Sequence, residues 1–202
     1  NVQWSDPFVK RDAIDIVRMV LDRLISLRIW EFSCDYFKWR SNRTDGHLSS
    51  GANAEEAISG RRLIARAANV AALCDKMADL LALHTDYSLW ESYQRLDAIE
   101  KIRNSDFPKT LFDNASCDYC QSHQYELARY WYASHARDVA DRVTKVVAAG
   151  DRKMVIRTNV EAKRLALKAR ALESLKPTLP RTEENIRKVI SEIAQLAKNP
   201  TK

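Results

Sequence analysis

The sequence has 202 residues and a mass of 23.2 kDa, with 30% charged and 46% apolar residues but only 4 Gly and 5 Pro. This composition excludes collagen-like, low-complexity and disulfide-dense scaffolds, and so few turn-forming residues argue against an all-β fold. No apolar run approaches the ~18 residues that a membrane-spanning helix needs. The charge is uneven, because 13 Lys and Arg oppose 6 Asp and Glu from Gly150 onward, whereas the first 149 residues carry a net charge of −1.

The first predicted helix begins at Asp6-Pro7, where an N-cap carboxylate precedes a proline at the first helical position. Apolar residues then recur at spacings of three and four, which is the period of an amphipathic helix, and the pattern extends to about Lys38. The buried stripe predicted for this helix is Ala13, Val17, Val20, Leu24 and Leu27. The further apolar residues Ile16, Leu21, Trp30 and Phe32 widen the stripe, so we expect the helix to be covered on more than one side.

Residues 41–51 are polar and rich in Ser, Gly and Asn, which predicts an exposed loop. The second long helix is predicted to open at Asn53, with Glu56 as its capping-box partner. The inner face predicted for it is Ile64, Ala67, Ala71, Cys74, Met77 and Leu81. Thr85 and Asp86 are then expected to cap a third helix, which carries Leu89, Trp90, Tyr93 and Leu96.

A fourth long helix is predicted from about Ser122 to Ala149, with Gly150 at its C′ position. A basic helix is expected from about Asp151 to Leu175, and a last helix is expected to begin at Thr182. No segment alternates with the period of a strand. The sequence therefore predicts an all-α, up-and-down bundle of five to seven helices. We expect one domain over residues 1–202, with an exposed loop at 41–53 and a basic helical part at 150–202.

The cysteines offer one arrangement with metal-ligand spacing. Cys117 and Cys120 form a C-x-x-C pair with His123 three residues beyond, which could supply three of the four ligands of zinc. A second C-x-x-C or H-x-x-x-H pair is missing, so a disulfide and free thiols remain alternatives. Cys34 and Cys74 lie among apolar residues of the long helices, and core packing is the simplest role for them.

Two N-glycosylation sequons begin at Asn42 and Asn114. The sequence starts at Asn1 without a methionine, so we expect a processed product or a piece of a longer chain. Both observations are compatible with a secretory or lysosomal-type compartment, or with an organelle reached after processing. The sequence itself does not name the compartment.

Candidate catalytic groups have simple structural interpretations. Asp12, Asp15 and Arg18 form a polar ridge of the first helix, in which Asp15 and Arg18 are expected to pair. His84 is expected to interact with the C-terminal dipole of the second helix. Two groups of aromatic residues could stack on sugars or bases, although helical spacing favours core packing for them. They are Tyr119, Tyr125, Tyr130, Trp131 and Tyr132, and Trp30, Phe32, Tyr36, Phe37 and Trp39. We predict no catalytic residue and no cofactor.

The basic C-terminal third offers a possible interaction face for nucleic acid, anionic lipid or an acidic protein, or simply a solvated helix face. The face comprises Arg152, Lys153, Arg157, Lys163, Arg164, Lys168 and Arg170. RNA binding through these residues would weaken steeply with salt.

The order of several short motifs resembles the C-terminal all-helical domain of the alpha-N-acetylglucosaminidase family. The family's opening Phe and D-x-x-D-x-x-R helix resemble Phe8 with the Asp12 ridge, and its paired aromatics before a long helix resemble Trp131-Tyr132. The other matching stretches are Leu80-Leu81-Ala82, Asp86-Tyr87, Leu89-Trp90-Glu91, Phe112-Asp113-Asn114, Gly150 and Pro177 to Thr182. Residues 41–57 are an insertion relative to the family, and its Gly-Pro loop before the aromatic pair is absent.

This resemblance implies a non-catalytic helical domain, because the catalytic glutamates of the family lie in a barrel that this sequence lacks. The hypothesis that follows is a supporting or docking role on a parent polypeptide or protein partner. A structural subunit of a multiprotein assembly is the alternative hypothesis, and a helical RNA-binding protein is the second alternative.

Overall fold

The computed structural model describes residues 4–41, 52–106, 124–157 and 172–198, together with 159, 162, 165–167 and 170. Its regular elements are helical, in agreement with the all-α bundle that the sequence predicts. The α-helices are α1 (Pro7–Ser41), α2 (Ala52–Leu81), α3 (Leu89–Asp97), α4 (Glu100–Arg103), α5 (Ala133–Ala148) and α6 (Glu183–Lys198). No helix in this part of the chain combines the length and apolar character that a bilayer span requires.

Helix α1 begins as predicted, since the backbone N–H of Phe8 donates to Asp6 Oδ1 at 2.8 Å. Its buried face, however, differs from the predicted stripe. Leu21 is completely buried as predicted, but so is Ile14, which was not predicted, whereas Val20 and Leu27 are exposed. Ile16 and Trp30 are exposed as well, so the second covered side expected for α1 is wrong. Apolar residues occupy most of the circumference of α1, so their spacing identifies a helix without identifying which side faces the core.

Helix α2 lies at the centre of the bundle and runs antiparallel to α1, because Arg62 pairs with Asp35 and Arg66 pairs with Glu31. It is also antiparallel to α5 and α6. The prediction for its inner face is confirmed from Ala67 to Leu81, and Ile64 is half-buried. The predicted capping box lies in 52–58, where side chains fall outside the described residues.

The connection from α2 to α3 corrects one predicted helix start. Residues Thr85–Tyr87 form a separate 3-10 turn, and Ser88 is the N-cap of α3, with its Oγ accepting from the N–H of Glu91 at 3.3 Å. The extended backbone of Ser88 breaks the helix between the two segments. Thr85 and Asp86, which the sequence predicts as the cap, therefore belong to the turn that precedes the actual cap.

A π-helical segment, Leu127–Tyr132, leads directly into α5. A π-turn contains one residue more than an α-helical turn, and such turns are common at functional sites. Helix α5 ends as predicted at Gly150, which adopts φ +63° and donates its N–H to Val147 C=O. This left-handed residue closes the helix, because glycine carries no Cβ that would oppose it.

The basic helix predicted from Asp151 is wrong at its start, because residues 152–153 form a turn and residues 154–157 have no regular secondary structure. Asp151 Oδ1 accepts from the N–H groups of Lys153 and Met154, which closes a local turn after Gly150. The phenol of Tyr36 donates to Met154 C=O and accepts from the N–H of Ile156. These contacts fasten the segment to α1.

Helix α6 begins at the predicted cap, since Thr182 Oγ1 accepts from the N–H of Asn185. Its inner residues Ile186, Val189 and Ile193 join the main core with residues of α1 and α2. Contacts of its C-terminal end with Arg28 and Asn69 place α6 parallel to α1 and antiparallel to α2. The up-and-down order of the first long helices is therefore not continued by α6.

Candidate functional site

The side of α1 that faces away from the core carries a row of exposed apolar residues, which we call the outer face of α1. Its apolar members are Ile16, Val20, Leu27 and Trp30, with exposed fractions of 63%, 62%, 48% and 65%. With Arg23 between Val20 and Leu27, the spacings are four, three, four and three residues. This alternation is the pattern by which one helix packs against another along a coiled-coil seam.

Arg23 is the one charged member of the outer face. Its side chain is exposed, and it makes no hydrogen bond or ion pair with the residues that the structure describes. Covering the outer face with another protein would take this guanidinium out of water. An uncompensated buried charge is unfavourable, so a surface that covers Arg23 needs a carboxylate opposite it.

Ion pairs on the flank of α1 next to its outer face join α1 to α2. Arg66 bridges Glu31 and Asp35 at 2.6 Å each, Arg62 adds a two-pronged contact with Asp35, and Arg28 donates to Glu31 at 2.8 Å. The hydrogen bond from Arg28 is the main cause of a pKa of Glu31 below its ordinary value, against an opposing effect of burial. This network adds polar contacts between α1 and α2 beside the apolar packing of Ile14 and Leu21.

An apolar cavity of about 420 Å³ lies among α1, α2 and the stretch that runs from the π-helical segment into α5. Small residues contributed by α2 and this chain, such as Ala67 and Ala136, line part of it, and larger residues such as Phe32 and Met77 complete the lining. The other lining residues are Asp22, Ile25, Ile29, Ser33, Val70, Cys74, Ala128, Tyr132, His135 and Val139. Ile29 is both exposed and part of the lining, so it lies where the cavity opens to solvent beside α1.

The most buried ionisable side chain in the described residues belongs to Glu126, which sequence reasoning missed. Its carboxylate accepts from Ser88 Oγ at 2.9 Å and from the N–H groups of Leu89 and Trp90 at 2.8 and 2.9 Å. Burial raises the pKa of Glu126, and the three hydrogen bonds oppose that shift. The geometry satisfies free N–H groups at the start of α3, which is a structural capping role.

The metal candidates Cys117, Cys120 and His123 and both glycosylation candidates, Asn42 and Asn114, lie outside the described residues. So do Tyr119 and the side chains of Lys163, Arg164 and Lys168. Within the described residues, no group of three or more His, Cys, Asp and Glu side chains is arranged to hold a metal ion.

The described members of the predicted basic face lie in different surroundings. Arg152 and Lys153 line a small pocket beside Arg40 of α1, which sequence reasoning did not associate with them. Arg170 instead stacks over the ring of Tyr130, 4.3 Å from its centroid, and Arg157 is exposed. The prediction of a single basic helix carrying these side chains is corrected, because residues 151–157 are not helical and Arg152 and Lys153 lie beside the end of α1.

The remaining candidates have structural surroundings. Asp15 pairs with Arg18 at 2.8 Å, as predicted. The backbone N–H of His84 donates to Leu81 C=O at the end of α2, while its Nδ1 accepts from the N–H of Asp86, and burial lowers its pKa. Cys34 and Cys74 are free thiols, and Cys74 is buried in the core as predicted.

The two predicted aromatic groups divide between core and surface. Tyr125 and Trp131 are buried, and Trp131 stacks on Tyr132 with ring centroids 5.3 Å apart. In the second group, which lies on α1, Trp39 is buried, while Trp30 and Phe37 are exposed. Phe32, Tyr36, Tyr130 and Tyr132 are half-buried. Core packing thus accounts for part of each group, and the exposed aromatic surface belongs to α1.

Comparison with protein-family models, curated proteins and solved structures finds no significant match for this chain. The resemblance to the helical domain of alpha-N-acetylglucosaminidases therefore receives no support from these comparisons and stays a prediction.

Proposed function

We propose that the chain is a non-catalytic helical docking module that binds a larger protein through the outer face of α1. The observation that carries this proposal is the row of four large apolar side chains, each about half or more exposed, on the side of α1 opposite the core. Isolated exposed apolar residues are ordinary, but several large ones on one side of a helix at helix-packing spacing are typical of an interaction surface.

The partner surface that fits the outer face is an amphipathic helix. The spacing from Ile16 to Trp30 suits knobs-into-holes packing along about 20 Å of α1. Charge complementarity further requires that the partner helix carry an Asp or Glu opposite Arg23. Under the glycosidase hypothesis the helix belongs to the parent polypeptide, and under the assembly hypothesis it belongs to another subunit.

A designed peptide helix of about four heptads tests the proposal, with Leu at the seam positions and one Glu placed opposite Arg23. We expect the full chain to bind this peptide, measured by isothermal titration calorimetry. Trp30→Ser should weaken binding about 30-fold or more, because a large aromatic anchor that the partner covers is worth about 2 kcal/mol or more. Ile99→Ser, which removes an exposed apolar residue elsewhere, is the matched control and should leave the affinity unchanged.

The charge requirement has its own test. Replacing the peptide Glu by Lys should weaken binding, and Arg23→Glu should restore binding of the Lys peptide. Binding that is indifferent to both changes, or to Trp30→Ser, would contradict the proposal. Sedimentation equilibrium tests self-association separately: we expect a monomer, and a dimer that Trp30→Ser dissociates would assign the outer face to a second copy of this chain.

A further inference from the structure

The apolar cavity among α1, α2 and α5 is elongated along the helices. Its lining includes residues from 22–33 of α1, 67–77 of α2 and 128–139 of the stretch that leads into α5. Each of these ranges covers about three helical turns, or about 15 Å at the rise of an α-helix. A volume of about 420 Å³ over that length leaves a mean width of about 6 Å, close to the ~5 Å that separates neighbouring extended chains. The cavity therefore has the shape of a slot for one unbranched chain.

Two features of the fold leave this slot open. Helices α1 and α5 both pack on α2 but hardly pack against each other in the described part of the chain. The walls also carry alanines where larger side chains would close the gap, namely Ala67 on α2 and Ala128 and Ala136 on the opposite stretch. Ala128 belongs to the π-helical segment, and π-turns are common at functional sites. A mostly apolar cavity of this size is the usual form of a binding site for a small ligand.

The polar groups at the mouth select the head group of such a ligand. Asp22 is the only Asp, Glu, Lys or Arg among the described lining residues, and it is exposed. Its carboxylate makes no hydrogen bond or ion pair with the residues that the structure describes. The Ser33 hydroxyl already donates to Ile29 C=O at 2.8 Å, so its oxygen is left as an acceptor. A positively charged head group that donates hydrogen bonds fits this mouth, whereas a carboxylate is repelled by Asp22.

We propose that the apolar cavity binds a long-chain primary amine, whose alkyl chain fills the slot and whose ammonium group lies at Asp22. An extended chain advances about 1.2 Å per bond, so about 12 carbons fill the length of the slot. The apolar lining supplies the affinity, and Asp22 supplies the preference for a cation. The site is separate from docking through the outer face of α1, since none of its lining residues belongs to that face.

A series of unbranched amines from hexylamine to tetradecylamine tests the length of the slot. The full chain is titrated by isothermal titration calorimetry at amine concentrations below micelle formation. Each added methylene should tighten binding about fourfold, because its burial removes apolar surface from water. We expect the gain to stop at about 12 carbons, where the slot is full. A gain that continues unchanged to tetradecylamine, or absence of saturable binding for every amine, would overturn the proposal.

Ala136→Leu tests the location of the chain. The substitution adds three carbon atoms to the wall of the slot, so the gain should stop at about nine carbons and dodecylamine should bind at least about tenfold more weakly. Ala148→Leu, at an exposed position of the same helix, is the matched control and should change neither result. Circular dichroism should show the same helix content in both variants. An unchanged length profile in folded Ala136→Leu would place the amine elsewhere.

Asp22→Asn tests the head group at an exposed position, where the substitution leaves the core intact. It should weaken decylamine about threefold, because an exposed ion pair is lost, and leave the affinity for decanol unchanged. Asp12→Asn, exposed elsewhere on α1, is the control and should have no effect. Decanoate that binds wild type as tightly as decylamine would overturn the assignment of an amine.

Trp30→Ser separates this site from the outer face of α1. We expect it to leave the affinity for amines unchanged, whether or not the outer face binds a partner helix. Loss of amine binding in Trp30→Ser, with wild-type binding in Ala136→Leu, would assign the amines to the outer face and overturn the proposal.

Discussion

The buried carboxylate of Glu126 allows a quantitative prediction for the stability of the bundle. In Glu126→Ala the N–H groups of Leu89 and Trp90 lose their acceptor at the start of α3. An unsatisfied buried donor costs about 1–3 kcal/mol, and each lost buried methylene adds about 0.8 kcal/mol. Relief from carboxylate burial offsets part of this loss. We expect the free energy of unfolding to fall by about 2–5 kcal/mol.

Glu126→Gln separates the charge of the side chain from its size. The amide oxygen can still accept from Ser88 and Trp90, but its NH₂ group then faces the N–H of Leu89, so one hydrogen bond is lost. We expect a loss of about 1–2 kcal/mol at pH 7. Asp141→Ala, an exposed residue of the same helix, is the control and should change stability by less than about 0.5 kcal/mol.

The pH dependence gives the second measurement on these variants. Burial raises the folded-state pKa of Glu126 above its ordinary value of 4.5. The folded chain therefore binds the proton of the Glu126 carboxyl more tightly than the unfolded chain does. Protonation of Glu126 thus stabilises the fold: this contribution to the free energy of unfolding is fully present below pH 4.5 and is lost as the pH rises through the folded-state pKa. Urea denaturation followed by circular dichroism from pH 4 upward should show this fall in wild type relative to Glu126→Gln. Parallel profiles, or a loss under about 1 kcal/mol in Glu126→Ala, would refute the reasoning.

Three further predictions concern other parts of the bundle. Gly60→Ala should lower the unfolding free energy by about 1–3 kcal/mol in urea denaturation, because its Cβ would lie 2.8 Å from Cγ1 of Val147; an unchanged midpoint would show that α2 and α5 separate easily. Cys74, whose pKa burial raises to about 12, should react with Ellman's reagent far more slowly than Cys34, and equal rates in the folded chain would contradict the core position. Glu31→Gln should lower the free energy of unfolding by about 1–3 kcal/mol at pH 7. The loss should shrink as the pH falls through the lowered folded-state pKa of Glu31, because the wild-type carboxylate is then protonated and its ion pairs are lost; denaturation midpoints at pH 7 and pH 3 measure the difference.

Local sequence patterns predicted what local forces determine. The cap at Asp6, the left-handed Gly150 and the cap at Thr182 each depend on neighbours within a few residues, and each prediction is confirmed. The inner face of α2 was predicted in part, because the predicted residues from Ala67 to Leu81 are buried, while the central position of α2 also buries Leu63, Leu73 and Leu80. On α1 the apolar residues surround the helix, so contacts with α2 and α6 decide that Ile14 is buried and Val20 is exposed.

The candidate sites depend on contacts between distant parts of the chain, which explains why sequence reasoning found only fragments of them. Glu126 accepts from Leu89, 37 residues earlier, and nothing near either residue indicates that pairing. Arg40 and Arg152 are 112 residues apart and meet only because the turn after α5 returns to the end of α1. The basic composition of the C-terminal third was visible, but its placement against α1 was not.

The π-helical segment has a consequence for how the chain tolerates changes in length. One added residue advances a helix by about 100°, so Leu127–Tyr132 offsets the angular phase of the residues before it from that of the residues after it. Because of this offset, the side chain of Glu126 contacts the start of α3, while Val143 and Val146, farther along the same helical stretch, pack in the core. Deleting a single residue within the segment would restore a regular α-helix and turn Glu126 away from α3. Single-residue deletions should therefore be tolerated less well here than in the turn at 152–153, where the backbone can absorb the change.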